Sequence, residues 1–254
     1  MLTVDQRERY ARHLMLEGVG EAGQQRLLDG SVLVIGAGGL GSPALFYLVA
    51  AGVGRVGVVD SDRLELSNLQ RQILHNSERV GRLKVDSAAA TLKPLNPEVE
   101  LTAYPFRVDR HNIAALISGY DFVIDATDNF ESKFLVNDAC VAAGRAYSHG
   151  GILRFSGQTM TVVPGESPCY RCIFPEQPEA DDAIACSKAG VIGVLPGVIG
   201  TLQATEAIKY LLGIGELLTG RLLTYDSASL KFREIAVRRN PTCPVCGGHG
   251  EKKL

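Results

Sequence analysis

The chain has 254 residues, of which 46% are hydrophobic and 21% are charged, and its formal net charge is −2. This length and composition suit one large α/β domain with a substantial core. The nearly neutral charge excludes the global basic field of a typical nucleic-acid-binding protein, and no apolar run reaches the roughly 18 residues of a membrane span. The N-terminal sequence lacks the apolar core of a secretory signal, so we expect a cytoplasmic protein.

Helices and strands are predicted to alternate over the first half of the chain. A helix is expected over residues 3–16, where Thr3 and Gln6 suit a capping box. A long polar loop at 60–84 interrupts the alternation, and a loop of this length is usually functional. The predicted strands are 31–39, 55–60, 98–106 and 120–129. The other predicted helices are 42–52, 84–97 (broken at Pro94), 109–119 and 129–144.

The pattern changes after Gly144. Residues 145–164 predict two strands joined by a tight turn at Ser156 and Gly157, and 197–213 predict a buried helix. Another antiparallel pair is expected over 220–239. The whole order predicts a Rossmann-like, mostly parallel sheet flanked by helices and continued by antiparallel strands. We expect a helical arm at 1–28 and a single domain at 29–254, divided into halves at about 29–145 and 146–254.

A glycine-rich loop joins the first strand to the next helix. Its glycines are Gly36, Gly38, Gly39 and Gly41. Glycine lets the backbone approach a phosphate closely, and the helix that follows offers free N–H groups. Asp60 ends the next strand about 20 residues later, where a carboxylate accepts ribose hydroxyls. A nucleotide site is therefore predicted, and up to this point ATP and NAD suit it equally.

Cationic side chains follow the second strand. The sequence SNLQRQ carries Asn68 and Arg71, and Lys84 lies just before the next helix. Backbone amides already serve the two phosphates of a dinucleotide, so two more cations favour a third phosphate or a pyrophosphate leaving group. The alternative is that both are solvated surface charges.

The sequence DATDN ends the fourth strand, at the edge where open α/β sheets bind ligands. Asp125 and Asp128 lie there, and a carboxylate at this edge can hold Mg²⁺, which takes one or two protein carboxylates together with phosphate oxygens. The alternative is an aspartate that caps the next helix, a role that also suits Asp125.

Two Cys-x-x-Cys pairs predict a structural metal site. Four thiolates match tetrahedral zinc, which would tie the C-terminal tail to the sheet; the ligands would be Cys169, Cys172, Cys243 and Cys246. The alternatives are reduced thiols in two loops or one redox pair. Cys140 lies in an apolar helix and is expected to be buried. Cys186 lies beside Lys188 in an irregular segment, where a thiol can be a nucleophile or an inert loop residue.

These motifs together resemble the E1-like activating enzymes of bacteria, the ThiF/MoeB/HesA family. The resemblance covers nearly the whole chain through RYARH, GAGGLGSP, LSNLQRQ, GRLK, DATDN, CYRC, GVIGTLQATEAIK and CPVC. It implies adenylation of the C-terminal Gly-Gly carboxylate of a small ubiquitin-like sulfur carrier, with Mg-ATP as the second substrate. The product would serve thiocarboxylate formation for thiamine, molybdopterin or a related compound. The sulfur is expected from a separate donor protein.

The resemblance also assigns roles to residues. It implies a homodimer in which Arg12 reaches the active site of the partner subunit, and it makes Cys186 the loop thiol that in some members links covalently to the carrier or a sulfur donor. Asp60 would bind ribose, Asp128 would bind Mg²⁺, and zinc would occupy the four cysteines. The residues assigned to the nucleotide and its phosphates are Gly36, Gly38, Gly39, Leu40, Gly41, Asp60, Asp62, Ser67, Asn68, Gln70, Arg71, Lys84, Asp128 and Asn129.

Two functions of other classes stay open from the sequence. A nucleotide-binding oxidoreductase would bind NAD and have no use for Arg71 and Lys84. A scaffold that binds nucleotide and zinc without catalysis would keep the same motifs. Adenylation itself needs no general base, because a carboxylate is already ionised at neutral pH, and the histidines form no constellation that we interpret as catalytic.

Overall fold

An eight-stranded sheet forms the centre of the fold. The computed structural model describes residues 1–178 and 189–247. The strands are β1 (Ser31–Ile35), β2 (Arg55–Val59), β3 (Glu100–Tyr104), β4 (Phe122–Asp125), β5 (Ala146–Leu153), β6 (Ser156–Val162), β7 (Arg221–Asp226) and β8 (Lys231–Ala236). Their order in the sheet is β3-β2-β1-β4-β5-β6-β7-β8. The strands from β3 to β5 are parallel, and β6, β7 and β8 continue antiparallel, which confirms the predicted fold class.

Helices cover both faces of this sheet. The described helices are α1 (Val4–Arg9), α2 (Ala11–Leu14), α3 (Gly20–Asp29), α4 (Gly41–Ala50), α5 (Lys84–Leu95), α6 (Ile113–Ser118), α7 (Phe130–Ala142) and α8 (Leu195–Leu212). The helix α8 packs against α4 and the middle strands, whereas α6 and α7 pack together. Among the described residues, no helix combines the length and the apolarity that a membrane crossing requires.

The apolar sequence of β1 follows from burial on both faces. Val32 and Val34 belong to the core that includes α4 and α8, whereas Leu33 and Ile35 belong to the core on the opposite face. Successive side chains of a strand point to opposite faces, so a central parallel strand becomes apolar throughout. β1 and β4 are therefore fully buried, and their carboxyl ends carry the loops of the candidate site.

The predicted helix over residues 3–16 is divided at Tyr10. Thr3 and Gln6 form the capping box that the sequence predicts. Tyr10 is only 3% exposed, and its hydroxyl oxygen accepts a hydrogen bond from the Asn96 side chain. The interruption places this ring in the core, where it anchors the N-terminal segment to the end of α5.

Other boundaries also differ from the sequence prediction, among them the end of α5 and the turn between β5 and β6. The helix α5 continues through Pro94 and ends at Leu95, because a proline in the last turn removes only one helical donor. The turn between β5 and β6 lies at Arg154 and Phe155, not at Ser156 and Gly157. Gly157 is part of β6: a Cβ there would lie 2.5 Å from Cγ1 of Ile199, so this glycine admits α8 rather than forming a turn.

Candidate nucleotide and substrate site

The glycine loop after β1 is held by backbone contacts too close for side chains. Gly36 has φ +108°, and a Cβ there would lie 2.6 Å from the carbonyl oxygen of Ala126, in the loop after β4. A Cβ on Gly41 would lie 1.9 Å from the carbonyl oxygen of Gly36. The loop is thus folded on itself, and it delivers the N-terminus of α4 to the carboxyl edge of the sheet, where backbone N–H groups favour anions.

Asp60 holds this loop from the end of β2. One of its carboxylate oxygens accepts a hydrogen bond from the Ala37 amide at 2.9 Å, and the other accepts from the Asp62 amide at 2.8 Å. Burial raises the pKa of Asp60, against the opposing effect of Lys84. Lys84, only 7% exposed, forms an ion pair of 2.7 Å with Asp62. The structure therefore brings three of the predicted residues together.

The polar segment after β2 lies beside the same loop. Ser67 and Gln70 are both exposed, whereas Asn68 is buried and its side-chain oxygen accepts from the Glu65 amide. The side chain of Arg71 passes Gly39: a Cβ on that glycine would lie 3.5 Å from Cγ of Arg71. The stem of Arg71 therefore lies against the glycine loop, while its guanidinium donates to the carbonyl oxygen of Ser67 at 3.3 Å.

Two buried side chains near the loop were missed by sequence reasoning. His75 contacts the Ala37 carbonyl oxygen through Nε2 and the Ser87 hydroxyl through Nδ1, each at 2.9 Å. Burial lowers the pKa of His75, so the imidazole is neutral and ties the loop to α5. Gln72 lies closest to Gly38, and its Oε1 is buried without a partner among the described residues. The only sequence feature that could have indicated either residue is its position close to Arg71, at or just after the end of the SNLQRQ motif.

The loop after β4 separates two neighbouring aspartates. Asp128 is exposed, and its side chain has no hydrogen-bond partner within residues 1–178 and 189–247. Asn129 caps α7 by accepting from the Ser132 amide at 2.9 Å. Asp125 is fully buried, so the suggestion that it caps the helix is wrong: it accepts from the amide and hydroxyl of Thr127 instead.

Asp125 belongs to a buried cluster that sequence reasoning also missed. Its Oδ2 lies 3.3 Å from Nζ of Lys133 and 3.1 Å from Nδ1 of His149. Burial by itself raises the pKa of this carboxyl, but Lys133 and His149 outweigh it and hold the pKa at about 2. Asp125 is therefore ionised at neutral pH. The pairing was hidden because Lys133 lies in a helix and His149 on the next strand.

A cleft of about 700 Å³ begins at Asp128 and extends over the antiparallel strands. Its other lining residues are Thr127, Asn129, Phe130, Lys133, His149, Gly151, Ile152, Leu153, Ser156, Gly157, Gln158, Tyr170, Phe174, Thr224, Tyr225, Asp226, Ser229, Lys231 and Arg233. Aromatic rings and aliphatic side chains form much of the wall, with charged groups from β8 and the loop after β4. Such a cleft can accept an extended chain whose end lies beside Asp128.

The four paired cysteines converge on one point. Their sulfur atoms all lie within 4.8 Å of one another, although the two pairs are far apart in the sequence. The sulfurs of Cys169 and Cys243 are 3.6 Å apart, and those of Cys172 and Cys246 are 3.3 Å apart. A tetrahedral ion with metal–sulfur bonds of about 2.3 Å can bind all four. The cluster lies beside α7, to which Arg171 is joined by a two-point ion pair with Asp138.

Three further expectations concern cysteines and the N-terminal arm. Cys140 is fully buried in α7, as expected. Cys186 lies outside the described residues. Arg12 is exposed on α2 and has no hydrogen-bond partner among the described residues, so the structure of this one chain does not bring it to the other site residues.

Comparisons with known proteins agree with this geometry. The ThiF family profile matches residues 10–245. The SAMP-activating enzyme E1 of Haloferax volcanii is 50% identical over 249 residues, which cover 98% of this chain and 92% of that protein. The sulfur carrier protein adenylyltransferase of Thermus thermophilus is 51% identical over 250 residues, which cover 96% of this chain and 92% of that protein. The crystal structure of E. coli MccB with ATP superposes with a TM-score of 0.83 at 24% identity, covering 94% of this chain and 74% of MccB, and shows a shared fold.

The sheet order and the glycine loop define an α/β protein of the Rossmann type, and its four clustered cysteines could hold a metal ion. The chain belongs to the ThiF family, and it is an enzyme of the adenylyltransferase type. This assignment decides between the classes of protein that the sequence left open. It excludes the oxidoreductase and the non-catalytic scaffold, because the similar proteins are named as adenylyltransferases.

The packing of the glycine loop predicts a contrast between two alanine substitutions. Gly41→Ala should lower the free energy of unfolding by about 3 kcal/mol, because its Cβ meets backbone that no side-chain rotation can clear. Gly38→Ala is the matched control: the nearest atom would lie 3.6 Å away, so we expect a change within about 0.5 kcal/mol. Denaturant unfolding measures both, and equal losses would contradict the described packing.

Proposed function

We propose that this enzyme uses Mg-ATP to adenylate the C-terminal Gly-Gly carboxylate of a small ubiquitin-like sulfur carrier protein. The observation that carries the proposal is that the glycine loop lies beside Asp60 and Lys84, at the same edge of the sheet as Asp128 and the cleft that Asp128 lines. The relative from Thermus thermophilus is named for adenylation of a sulfur carrier protein, which supports this substrate class.

We assign the nucleotide to the carboxyl edge of the first half, residues 29–145. The phosphates would lie against the loop from Gly36 to Gly41, near the N-terminus of α4. Asp60 already holds the loop through one contact on each carboxylate oxygen, and each oxygen retains capacity to accept a ribose hydroxyl. The aromatic-poor, glycine-lined surface leaves backbone amides as the main donors to phosphate.

Three charged side chains would stabilise the triphosphate. Lys84 is buried at its stem and pairs with Asp62, whose side chain is 65% exposed, so a phosphate can replace this solvated partner. Arg71 lies beside Gly39 and would contact the same phosphates. Asp128 offers a free carboxylate, and a carboxylate with phosphate oxygens is the ligand set that Mg²⁺ prefers. The residues present therefore fit the ion, which would neutralise charge on the leaving pyrophosphate.

The reaction requires placement of two anions more than proton transfer. A carboxylate oxygen of the carrier attacks the α-phosphorus, the bond from that phosphorus to the bridging oxygen breaks, and pyrophosphate leaves with the electron pair. An acyl-adenylate remains. No proton moves, so cationic side chains that hold both reactants in line can supply most of the catalysis. Arg71 and Lys84 are suited to this task.

We assign the carrier's C-terminal segment to the cleft. The cleft reaches from Asp128 to the antiparallel strands, so a tail lying in it would present its terminal carboxylate where the nucleotide loop begins. Lys231 and Arg233 on β8 add positive charge at the far wall. After adenylation, a separate sulfur donor would convert the acyl-adenylate to a thiocarboxylate, and Cys186 is the candidate thiol for a covalent step.

We propose zinc as the ion of the tetracysteine cluster. Four thiolates fill a tetrahedral shell and leave no position for water or substrate, so the ion would stabilise the fold and take no part in chemistry. It would fasten the segment around Cys243 and Cys246 to the short helix Tyr170–Cys172.

We also propose a homodimer in which Arg12 acts on the nucleotide of the partner subunit. Arg12 is exposed, and an apolar groove of about 750 Å³ lies between the Arg71 segment and α8. Its walls include Ile73 at 61% exposure and Val194 at 66%, an apolar exposure typical of a covered surface.

The first test is pyrophosphate–ATP exchange with candidate carriers that end in Gly-Gly. Arg71→Ala and Asp128→Ala should each lower exchange by about 100-fold or more, because each removes a group that stabilises developing charge. Arg145→Ala, at the opposite end of the sheet where β5 begins, is the matched control and should retain exchange. Absence of exchange by the unaltered enzyme with every such carrier would refute the proposed function.

Metal analysis tests the zinc proposal. The purified chain should hold about one zinc ion, and Cys172→Ser should lose it and lower the melting temperature by about 10 °C, since structural zinc contributes folding free energy directly. Cys140→Ala is the control, because this buried thiol lies outside the cluster. Full zinc content in Cys172→Ser would show that the ion is bound elsewhere.

Mixed dimers test the shared active site. Arg12→Ala and Asp128→Ala dimers should each be inactive, but co-expression of the two chains should recover about a quarter of the unaltered exchange rate, because half of the dimers then contain one intact site. A dimer of chains that each carry both substitutions should show no exchange activity. If each subunit supplied its own Arg12, co-expression would also recover nothing.

A further inference from the structure

His149 is held in a fixed orientation on the wall of the cleft. It lies on β5, is 1% exposed, and its ring packs on Tyr170 with the ring centroids 4.5 Å apart. Its Nδ1 lies 3.1 Å from Oδ2 of Asp125. Because Asp125 is ionised, Nδ1 carries the ring's proton and donates a hydrogen bond to the carboxylate. This leaves Nε2 as the unprotonated nitrogen and a hydrogen-bond acceptor.

The charges around this histidine are balanced without it. Lys133 provides the positive partner of Asp125, and its Nζ also donates to the carbonyl oxygens of Thr127 and Gly150. Burial lowers the pKa of His149, so the ring is neutral at physiological pH. A neutral imidazole is thus held in place by a hydrogen bond to Asp125, whose negative charge Lys133 already balances.

His149 lines the cleft, and residue 151 beside it has no side chain to cover Nε2. A Cβ on Gly151 would lie 3.4 Å from Nε2 and 3.3 Å from Cγ of Gln158. The one hydrogen-bond partner of Nε2 among the described residues is Nε2 of Gln158, at the long distance of 3.5 Å. An acceptor with a distant donor, on the wall of a cleft, is available to a ligand.

We propose that Nε2 of His149 accepts a hydrogen bond from a main-chain N–H of the carrier's C-terminal segment. The inference rests on the proposed function, because that function places a glycine-ended tail in this cleft. Glycines offer no side-chain donor, so a main-chain amide is the group that such a tail can present. His149 would therefore fix how the tail lies, and it would bind the substrate protein without moving a proton.

Two amide substitutions separate this contact from the support of Asp125. In His149→Asn, the introduced side-chain amide lies where Nδ1 lies and can still donate to Asp125, but nothing replaces Nε2. The longer side chain of His149→Gln can place an oxygen near the position of Nε2, but it loses the donor to Asp125. We expect the Asn variant to raise the KM for the carrier about 5- to 10-fold, with the KM for ATP and kcat within about twofold.

The Gln variant should show the opposite pattern: a carrier KM close to that of the unaltered enzyme and a lower melting temperature. Gly151→Ala should also raise the carrier KM, because its methyl group covers Nε2 while His149 and Asp125 remain in place. The measurements are pyrophosphate–ATP exchange at varied carrier and at varied ATP, together with thermal unfolding.

The outcomes distinguish this inference from the proposed function. An unaltered enzyme without exchange refutes the function itself. Normal exchange with an unchanged carrier KM in His149→Asn overturns the role of His149 alone. The role is also overturned if the Asn and Gln variants raise the carrier KM equally, since that result reports packing, or if the Asn variant loses only sulfur transfer, which would indicate a base.

Discussion

The candidate site depends on a contact between the loop after β1 and the loop after β4. These loops meet backbone to backbone, between the two strands at which the strand order of the sheet reverses direction. β1 and β4 are neighbours, but their crossovers lead to opposite sides. Gly36 lies against the carbonyl of Ala126, and Gly41 lies against Gly36 itself. Any larger residue at these glycines would separate the phosphate loop from the loop that carries Asp128. The glycine loop, Asp128 and the cleft are adjacent because backbone contacts backbone here.

Local signals in the sequence were sufficient for much of this site. The glycine loop, the acid after β2 and the cysteine pairs each depend on spacing within a short segment, and the alternation of helices and strands depends on apolar periodicity. The ThiF resemblance, confirmed by the family match, then joined motifs that are distant in the chain. The predicted fold and the convergence of the four cysteines followed from these patterns, whereas the roles of the individual residues assigned to the nucleotide stay predictions.

Groups that act through tertiary contacts could not be predicted in this way. Lys133 resembles any lysine on an amphipathic helix, and its burial becomes reasonable only when Asp125 and two carbonyls surround it. His75 similarly gains its role from contacts on two other elements. The error in the position of the β5–β6 turn also comes from a tertiary contact. The sequence assigns Gly157 to a turn, but a glycine is needed at this position of β6 because Ile199 of α8 packs against it.

The short helix Tyr170–Cys172 belongs to two parts of the molecule at once. Cys169 and Cys172 belong to the tetracysteine cluster, while Tyr170 packs on His149 and its amide donates to the side-chain oxygen of Asn137 in α7. Tyr170, which lines the cleft, therefore lies in the chain between two cysteines of the cluster. Any change in the packing of the four cysteines would therefore reach the wall of the cleft through the ring of Tyr170, so the cluster supports the cleft as well as the segment around Cys243 and Cys246.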